Sequence, residues 1–591
     1  MTIRGFEAAA ERRLRWALEP RIPGPPAGAI PASAGAIAIL ALIAIAVAIS
    51  LRTTPLDGTL TLRHYHDLLT RPQALQVLFN TIGFSTVTVI VALAIGIPIA
   101  WLVAWTDLPF KPAVYVGMTV GLLMPGFFTA MGWLVLLHPR AGIINVWLGQ
   151  AFALKPGLFD IISIPGMGFV QGLGLASVVF VMLAIPLRAI DPVLEEAAHT
   201  AGAGPWHTLF RITLPLVTPA LAAAAILVLV ISLAVFDVPA IIGLAGRIFT
   251  FSPFVYYEVY PFTGPPDYGF AAAFSAGMLA LAILLSLLYT RVLRQARRYE
   301  VIGPRSTFRQ PRPLGVWRLP AAALVAAYFA LALLLPFLTL VWTALLPFLQ
   351  PPSAIAFSHL SLDNFSSLPW ALIQETAINT AVLMISVPTL ALLLSISFSW
   401  VVLRSQLPGR LAYDYVAFLP QAVPSIVFAL SALFFFLFVL PPGLGLYGTV
   451  VPIIVVMALV YVSFGTRVTN GAMIQIHREL EDAAAVSGGG RLVLMLRIVL
   501  PLMRPALAYS WLWMALLAFR ELTVTNMLAS RSTGTTVAVV TYSLFAAGNW
   551  GEAASLALIM VAVLLPLVAI YLKLAGLGGA ISGAVSAVPG R

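Results

Sequence analysis

Residues 191–219 read DPVLEEAAHTAGAGPWHTLFRITLPLVTP, and residues 477–505 read HRELEDAAAVSGGGRLVLMLRIVLPLMRP. Both stretches carry an acidic residue, two alanines, a glycine four residues later and then Ile-x-Leu-Pro. The shared positions are Glu196, Ala197, Ala198, Gly202, Ile212, Leu214 and Pro215 in the first copy and Asp482, Ala483, Ala484, Gly488, Ile498, Leu500 and Pro501 in the second. Each copy lies between long apolar segments. We therefore expect a membrane protein that presents two equivalent loops to a partner.

The composition is that of a membrane protein. Hydrophobic residues make up 61% of the 591 residues, charged residues make up only 9%, and the mean hydropathy is +0.99. A soluble chain carries roughly 25% charged residues. Long apolar runs favour spanning helices over the strands of a barrel. The predicted fold class is an all-α polytopic membrane protein, with about 12 transmembrane helices in two parallel six-helix repeats.

Twelve apolar runs are long enough to span a bilayer. They lie at about 35–51, 80–104, 113–137, 166–187, 219–241, 270–290, 320–347, 378–402, 411–440, 446–466, 505–528 and 553–573. An Arg-rich segment separates the first six runs from the last six. The predicted organisation is a segment at 1–34, a transmembrane domain at 35–290, a linker at 291–318, a second transmembrane domain at 319–575 and a tail at 576–591.

The two transmembrane domains are internal repeats. Asn80-Thr81, Leu108-Pro109 and Pro125 each return 299 residues later, whereas the two polar loops are 286 residues apart. The first half therefore carries 13 extra residues between these landmarks. We expect them at 138–165, after the third apolar run.

The basic residues indicate the orientation of the chain. If the twelve runs alternate in direction, most of the 33 Lys and Arg residues fall on one side, together with the linker and both polar loops. The positive-inside rule makes that side cytoplasmic and puts both termini there. The same distribution argues against nucleic acid as a partner, despite a net charge of +11. The chain has no cysteine, which excludes disulfides and cysteine-ligated metals.

Each polar loop is predicted to contain a short helix. In the first copy, Asp191-Pro192 is typical of a helix start, and Gly202 is suited to a left-handed residue at the helix end. The alanines share one face and permit close approach of another protein. The carboxylates of Glu195 and Glu196, and of Glu481 and Asp482 in the second copy, can meet Arg or Lys across such a contact.

The paired pattern resembles the EAA loop of binding-protein-dependent ABC importer permeases. The first copy matches every position, and the second departs only by having Asp482 where the pattern has Glu. In that family the loop helix docks on the ATPase subunit and transmits its closure to the membrane helices. The resemblance implies this ATPase-coupling role for Glu195, Glu196, Ala197, Ala198, Gly202, Glu481, Asp482, Ala483, Ala484 and Gly488.

The resemblance also implies the partners of the chain. The chain contains no GxxxxGK[ST] loop to hold ATP phosphates. ATP hydrolysis is therefore expected to belong to a separate subunit, and the chain is not expected to be an enzyme itself. The expected partners are two copies of a cytoplasmic ABC ATPase, a soluble substrate-binding protein and membrane lipid. The expected location is a bacterial inner membrane, crossed many times. The expected mechanism is alternating access.

Short matches suggest the cargo. Fusion of two permease halves resembles the iron(III) and thiamine groups of importers. Phe236-Asp237-x-Pro239-Ala240, Arg520-Glu521-Leu522 and Arg298-Tyr299-x-x-Ile302-Gly303 look most like iron(III) permeases. Thiamine, phosphonate and polyamine import stay open as alternatives. A twelve-helix secondary transporter is a rival from another class, which would need coupling charges in the helix centres.

Few charged residues lie near the apolar runs. Asp237, Arg520 and Glu521 either form interfacial charges and an ion pair or border the translocation path, since intramembrane charges usually face a cavity. His64 and His66 supply at best half a metal site, so no metal site and no cofactor are predicted. Tyr256-Tyr257-Glu258 is typical of an aromatic belt at the membrane surface. No arrangement of residues suggests catalysis.

Overall fold

A computed structural model shows a helical chain whose two halves repeat one architecture. It describes residues 28–55, 58–152, 157–190, 193, 197–198, 200–208, 211–212, 214–296, 311–405, 407–477, 479–480, 486–487, 490–529 and 534–574. Within these ranges every named element is a helix, and β-type pairing is limited to two isolated bridges. The predicted all-α polytopic class is confirmed.

The first half holds eleven α-helices in its described residues. They are α1 Ala29–Ser50, α2 Arg63–Thr70, α3 Pro72–Trp105, α4 Lys111–Leu123, α5 Gly126–Leu137, α6 Ile143–Phe152, α7 Ile164–Ala189, α8 Pro205–Thr208, α9 Leu214–Ala234, α10 Phe251–Val259 and α11 Tyr268–Ala296. A π-helical turn at Pro239–Gly243 lies between α9 and α10.

The second half holds thirteen α-helices in its described residues. They are α12 Arg318–Phe329, α13 Leu335–Ala344, α14 Ala354–Ser358, α15 Asp363–Ser366, α16 Trp370–Arg404, α17 Arg410–Ala422, α18 Ser425–Phe434, α19 Val450–Ile474, α20 Arg491–Leu494, α21 Leu500–Phe519, α22 Thr523–Leu528, α23 Val537–Ala546 and α24 Trp550–Leu574. π-Helical turns join α12 to α13, extend α18 and precede α21.

The described chain has ten helical segments that are long and apolar enough to cross a membrane, or twelve if two bent pairs each count as one span. The bent pairs are α4 with α5 and α17 with α18, at angles of 91° and 101°. The sequence predicted one helix in each place. The breaks fall at Pro125 and Pro424, because the residue before a proline is driven out of the helical region.

Neighbouring helices show that the first bent pair crosses the bundle once. Helices α3 and α7 run parallel, since the close contacts Val87 to Gly168 and Val91 to Gly172 advance together along both helices. Helix α4 begins where both helices finish, with the Arg188 guanidinium 5.0 Å from the Tyr115 ring. Helix α5 ends where α7 begins, because Asn145 Nδ2 donates to the Leu137 carbonyl there and to the Phe159 carbonyl.

These contacts define two ends of the bundle. We call the end where α3, α7, α16 and α19 finish the loop end, because both repeated polar loops follow there, and the opposite end the far end. The extra residues of the first half contain α6. Helix α7 and its counterpart α19 begin at Ile164 and Val450, which are 286 residues apart as the repeat predicts.

The repeated Asn-Thr pair ties a short far-end helix to each half. In the first half, Asn80 Nδ2 donates to the Phe249 carbonyl, and the Phe251 N–H at the start of α10 donates to Thr81 Oγ1 at 2.9 Å. In the second half, Asn379 bonds the Thr535 carbonyl and Thr380 accepts from the N–H at the start of α23. The pair thus satisfies backbone groups that helix starts leave without partners.

Candidate functional site

The two halves share a central cavity of about 730 Å³. Residues of α4, α5, α7 and α9 line it from the first half, and residues around the second break and of α19 and α21 line it from the second. Its lining is apolar for the most part. Among the few charged side chains on its wall are Asp237, Arg520 and Glu521, which the structure brings together.

Asp237 lies three residues after α9, where the helix gives way to the π-helical turn. Its side chain accepts a hydrogen bond from the Phe127 N–H, in the first turn of α5. A methyl group on Gly126 would come within 3.0 Å of Asp237 Oδ2, so glycine is what allows this carboxylate to approach the break. Asp237 therefore bonds the start of α5, the helix that follows the Pro125 break.

Arg520 lies directly after α21 and reaches across to the same break from the other half. Its Nη1 donates to the Met124 carbonyl at 2.7 Å. That carbonyl has lost its helical partner, because the Phe128 N–H bonds the Pro125 carbonyl instead. Glu521 follows in the chain and accepts from the Val524 N–H at 3.0 Å, which caps α22. The three charges thus organise the ends of helices on the cavity wall.

Aromatic residues next to the cavity residue Phe236 join the two halves. The ring of Phe236 is fully buried and lies 5.6 Å from Tyr256 and 6.0 Å from Tyr542 of the second half. The hydroxyls of Tyr257 and Tyr542 are 3.2 Å apart, and the Tyr260 hydroxyl donates to the Met527 carbonyl. Tyr256 and Tyr257 therefore join the two halves, and their interpretation as a belt at the membrane surface stays a prediction.

The first repeated loop is described in part. Gly202 has φ of +83°, which confirms the predicted left-handed residue. The Ala203 N–H bonds the Ala198 carbonyl at 2.9 Å, as at many glycine-terminated helix ends. Ala197 is exposed, and a methyl group on Gly202 would meet no atom within 4 Å. Glu195 and Glu196 lie outside the described residues.

The second loop is described only at its flanks. Glu481, Asp482, Ala483, Ala484 and Gly488 lie outside the described residues. The flanks pack on the membrane helices through a separate apolar cluster. It consists of Trp400, Met473, Ile476, Leu494, Val499 and Met503. This cluster joins the ends of α16 and α19 to α20 and the start of α21, so the loop's two flanks share one contact surface.

A matched hydrogen bond anchors the helix that precedes each loop. Trp105 Nε1, at the end of α3, donates to the Leu187 carbonyl at 2.8 Å. Arg404 Nη2, at the end of α16, donates to the Met473 carbonyl at 3.0 Å and also to the Ile476 carbonyl. Trp105 and Arg404 are 299 residues apart, and the two acceptors are 286 apart, which are the offsets of the repeat. This pairing could not be predicted from the sequence, because the two donors are different residue types.

The two histidines weighed as metal ligands face different surroundings on α2. His64 is buried, and its Nε2 lies 3.0 Å from the Arg52 carbonyl, whereas His66 is exposed beside Asp67. Among the described residues, no group of three or more His, Cys, Asp or Glu side chains is arranged to hold a metal ion.

Residues 391–575 match the family of binding-protein-dependent transport system inner membrane components. The putative ferric transport system permease protein FbpB 1 of Haemophilus influenzae is 23% identical over 462 residues, covering 74% of this chain and 68% of that protein. The ferric transport system permease protein FbpB of Actinobacillus pleuropneumoniae is 24% identical over 452 residues, covering 73% of this chain and 61% of that protein.

The maltose/maltodextrin transport system permease protein MalF of Yersinia pestis is 29% identical over 240 residues, which cover 38% of this chain and 45% of that protein. The alignments with the ferric permeases are long enough to enter both halves of this chain, whereas the family match lies in the second half. Together, these similarities support a fused permease subunit of a binding-protein-dependent ABC importer, most like the iron(III) permeases.

Proposed function

We propose that this permease forms the path by which iron(III) crosses a bacterial inner membrane. A soluble binding protein delivers the cargo at the far end, and two copies of a separate ATPase act at the loop end. The observation that carries this proposal is the central cavity, which both halves line and which has Asp237, Arg520 and Glu521 on its wall. A path of this kind needs both halves, because relative movement of the two is what opens and closes it.

The proposed coupling sites are the two repeated loops. In the first loop these are Glu195, Glu196, Ala197, Ala198 and Gly202. In the second loop they are Glu481, Asp482, Ala483, Ala484 and Gly488. Three features support this role: the left-handed Gly202, the open space around it, and the matched anchors Trp105 and Arg404. Movement of a docked ATPase would pass through these anchors into α3, α7, α16 and α19.

The gate at the far end is proposed to be the aromatic contact between the halves. The hydroxyls of Tyr257 and Tyr542 are in contact, and the Tyr542 ring packs on Phe236, which lines the cavity and precedes Asp237 in the chain. In the proposed closed state, this contact shuts cargo in the cavity off from the far end. ATP-driven movement of the loops would part these rings and admit cargo from the binding protein.

Iron(III) is proposed as the cargo on two grounds. The relatives that align with both halves are ferric transport permeases, and carboxylate oxygens such as those of Asp237 and Glu521 suit a hard trivalent cation. The transmembrane domains at 35–290 and 319–575, with the linker 291–318 between them, would each supply half of the path. Both termini would lie in the cytoplasm, and ATP would be hydrolysed by the partner alone.

Uptake by the reconstituted complex tests the proposal. The permease is placed in proteoliposomes with its ATPase and binding protein, and radioactive iron(III) and maltose are offered separately. ATP-dependent accumulation of iron but not of maltose supports the assignment, and Asp237→Asn should slow it. Accumulation of maltose alone contradicts the iron assignment. Uptake driven by an ion gradient without the ATPase contradicts the importer mechanism itself.

A further inference from the structure

A second cavity of about 680 Å³ lies on the other side of the first break. It is a groove between α4 of the first half and α12, its following π-helical turn and α24 of the second half. Every residue that lines it has a nonpolar side chain. The groove is separate from the central cavity, although Met124 and Leu333 line both.

The groove has the dimensions of one lipid leaflet. It extends along α4 from Phe110 at the loop end to Met124 at the break. Fourteen residues of helix cover about 21 Å. Half of the hydrocarbon core of a bilayer is about 15 Å thick, so a groove of this length follows an acyl chain through one leaflet. Its floor is where α4 meets α12, since a methyl group on Gly117 would lie 2.5 Å from the Phe329 ring.

Cations begin both helices that form the groove at its loop end. Lys111 begins α4 next to the groove residue Phe110, and Arg318 begins α12. Arg188 lies near Lys111, since its guanidinium is 5.0 Å from the ring of Tyr115, one turn further along α4. The acid Asp107 attracts Lys111 and also accepts from the Leu314 N–H at 2.8 Å. Lys111 and Arg188 outnumber this acid, so the end of the groove keeps a net positive charge that attracts an anion attached to an apolar chain.

Phe110 is an exposed aromatic residue at the same end of the groove. It has φ of +58° and its side chain is 80% exposed. A left-handed backbone is uncommon for a residue other than glycine, asparagine or aspartate, and here it turns an aromatic ring toward the headgroup level. Aromatic side chains favour that depth in a bilayer.

We propose that this groove binds an anionic phospholipid, with an acyl chain between α4 and α12 and the phosphate at Lys111 and Arg188. Basic pockets between transmembrane helices are known to hold such headgroups. A bound chain would fill the space between the first half and the first span of the second half. It would thereby support the break at Met124, which the groove shares with the transport path. This inference does not depend on the identity of the cargo.

Native mass spectrometry of the purified, delipidated full chain tests the proposal. The chain is titrated with phosphatidylglycerol or with phosphatidylcholine of the same acyl composition. We expect phosphatidylglycerol to bind about fivefold more tightly, since Asp107 offsets one of the two cations and one basic residue near an anionic lipid contributes about that factor. Lys111→Gln should abolish that preference, because it removes the excess positive charge. Arg504→Gln, which removes a cation from α21 at the same end, should leave the preference intact.

A second pair of variants tests the groove itself. Ala326 and Ala327 are adjacent and both exposed on α12, but only Ala326 lines the groove. Ala326→Trp should lower retention of both lipids at least about fivefold, because the indole occupies the space of the acyl chain, and Ala327→Trp should not. Equal retention by the two tryptophan variants would overturn the proposal. So would equal binding of the two lipids to the wild-type chain.

Discussion

Arg520 Nη1 of the second half donates to the Met124 carbonyl of the first half at 2.7 Å. Met124 is the residue before Pro125, and its carbonyl is the one that the break in the helix leaves without an N–H partner. The corresponding carbonyl of the second half, at Val423, precedes Pro424. By the repeat offset of 286, the first-half counterpart of Arg520 is Ala234, which has no donor in its side chain. The two breaks are therefore held in different ways.

Removal of this contact should destabilise the pairing of the two halves. Arg520→Gln is expected to lower the free energy of unfolding by about 1 to 3 kcal/mol, because it leaves the carbonyl and the nearby carboxylates without their charged partner. Thermal unfolding of the purified chain measures the effect. Arg467→Gln is the control, since Arg467 also faces the cavity but pairs at 3.6 Å with Asp414 of its own half. Equal melting temperatures for the two variants would refute the assignment.

The two anchors of the loop ends should carry the coupling to ATP hydrolysis. Trp105→Phe keeps the apolar ring and removes the N–H, and Arg404→Gln removes the paired donor of the second half. A hydrogen bond contributes about 1 kcal/mol, so each variant should lower the amount of cargo transported per ATP about fivefold.

Trp101→Phe is the matched control for this experiment, because Trp101 lies one turn earlier in α3, with its ring 6.4 Å from that of Trp105. The measurement is uptake and ATP hydrolysis by the same reconstituted complex. If the Trp105 and Trp101 variants show the same ratio of uptake to hydrolysis, the anchor has no part in coupling.

The Asn-Thr pairs should have equal weight in the two halves. Thr81→Val and Thr380→Val preserve shape but leave the first N–H of a short helix without an acceptor, which costs about 1 to 3 kcal/mol. The effects of the two changes should add in the double variant within about 0.5 kcal/mol, because the sites are far apart. Thr86→Val, on an exposed face of α3, should be neutral. Thermal unfolding of the single and double variants measures these effects. Clearly unequal losses of stability in the two single variants would contradict the prediction.

The contact between Tyr257 and Tyr542 should have to open during transport. The chain has no cysteine, so Tyr257→Cys with Tyr542→Cys creates the sole pair of thiols. A short bis-maleimide reagent should cross-link the pair and stop uptake, while either single variant treated in the same way keeps transporting. Undiminished uptake by the cross-linked chain would show that the far-end gate lies elsewhere.

Glu258 should make stability depend on pH. It lies on α10, outside the spanning helices, and burial, with a further contribution from Asp267, raises the pKa of its carboxyl to about 7 against a weaker opposing effect of Arg71. An acid with a raised pKa stabilises the fold when protonated. That contribution is complete below pH about 4.5 and is lost as the pH rises through about 7.

Glu258→Gln should remove this pH dependence, because the amide cannot ionise. The measurement is the melting temperature of both chains between pH 5 and 8, in the range where the carboxyl loses its proton. A wild-type curve that stays parallel to that of the variant would show that Glu258 does not titrate in this range.

Much of the architecture follows from hydropathy and spacing. The twelve segments occur in the predicted order, and the extra residues of the first half contain α6, as the change of offset indicates. The breaks at Pro125 and Pro424 were visible as a repeated proline but not as right-angled bends. A proline within an apolar run can also leave a helix nearly straight, so the bend depends on partners such as Asp237 and Arg520 from elsewhere in the chain.

The site was predictable to a smaller extent. Asp237, Arg520 and Glu521 stood out because charges are rare in this chain, and the structure places them on one cavity. The contacts of Tyr256 and Tyr257 between the halves were not predicted, because aromatic residues favour both the membrane surface and the packing of helices, and spacing alone does not distinguish the two. Asn80-Thr81 was recognised as a repeat, but its hydrogen bonds join residues about 170 positions apart.

The carbonyl at Met124 has a consequence for how the path fills. When the two halves part, Arg520 leaves this oxygen, and in a hydrocarbon environment an unsatisfied backbone group costs several kcal/mol. Water is the replacement donor at hand. An open but dry path is therefore disfavoured, and each transport cycle should draw water to the break as the halves separate. Wetting and drying of this one peptide group would then accompany every transport cycle.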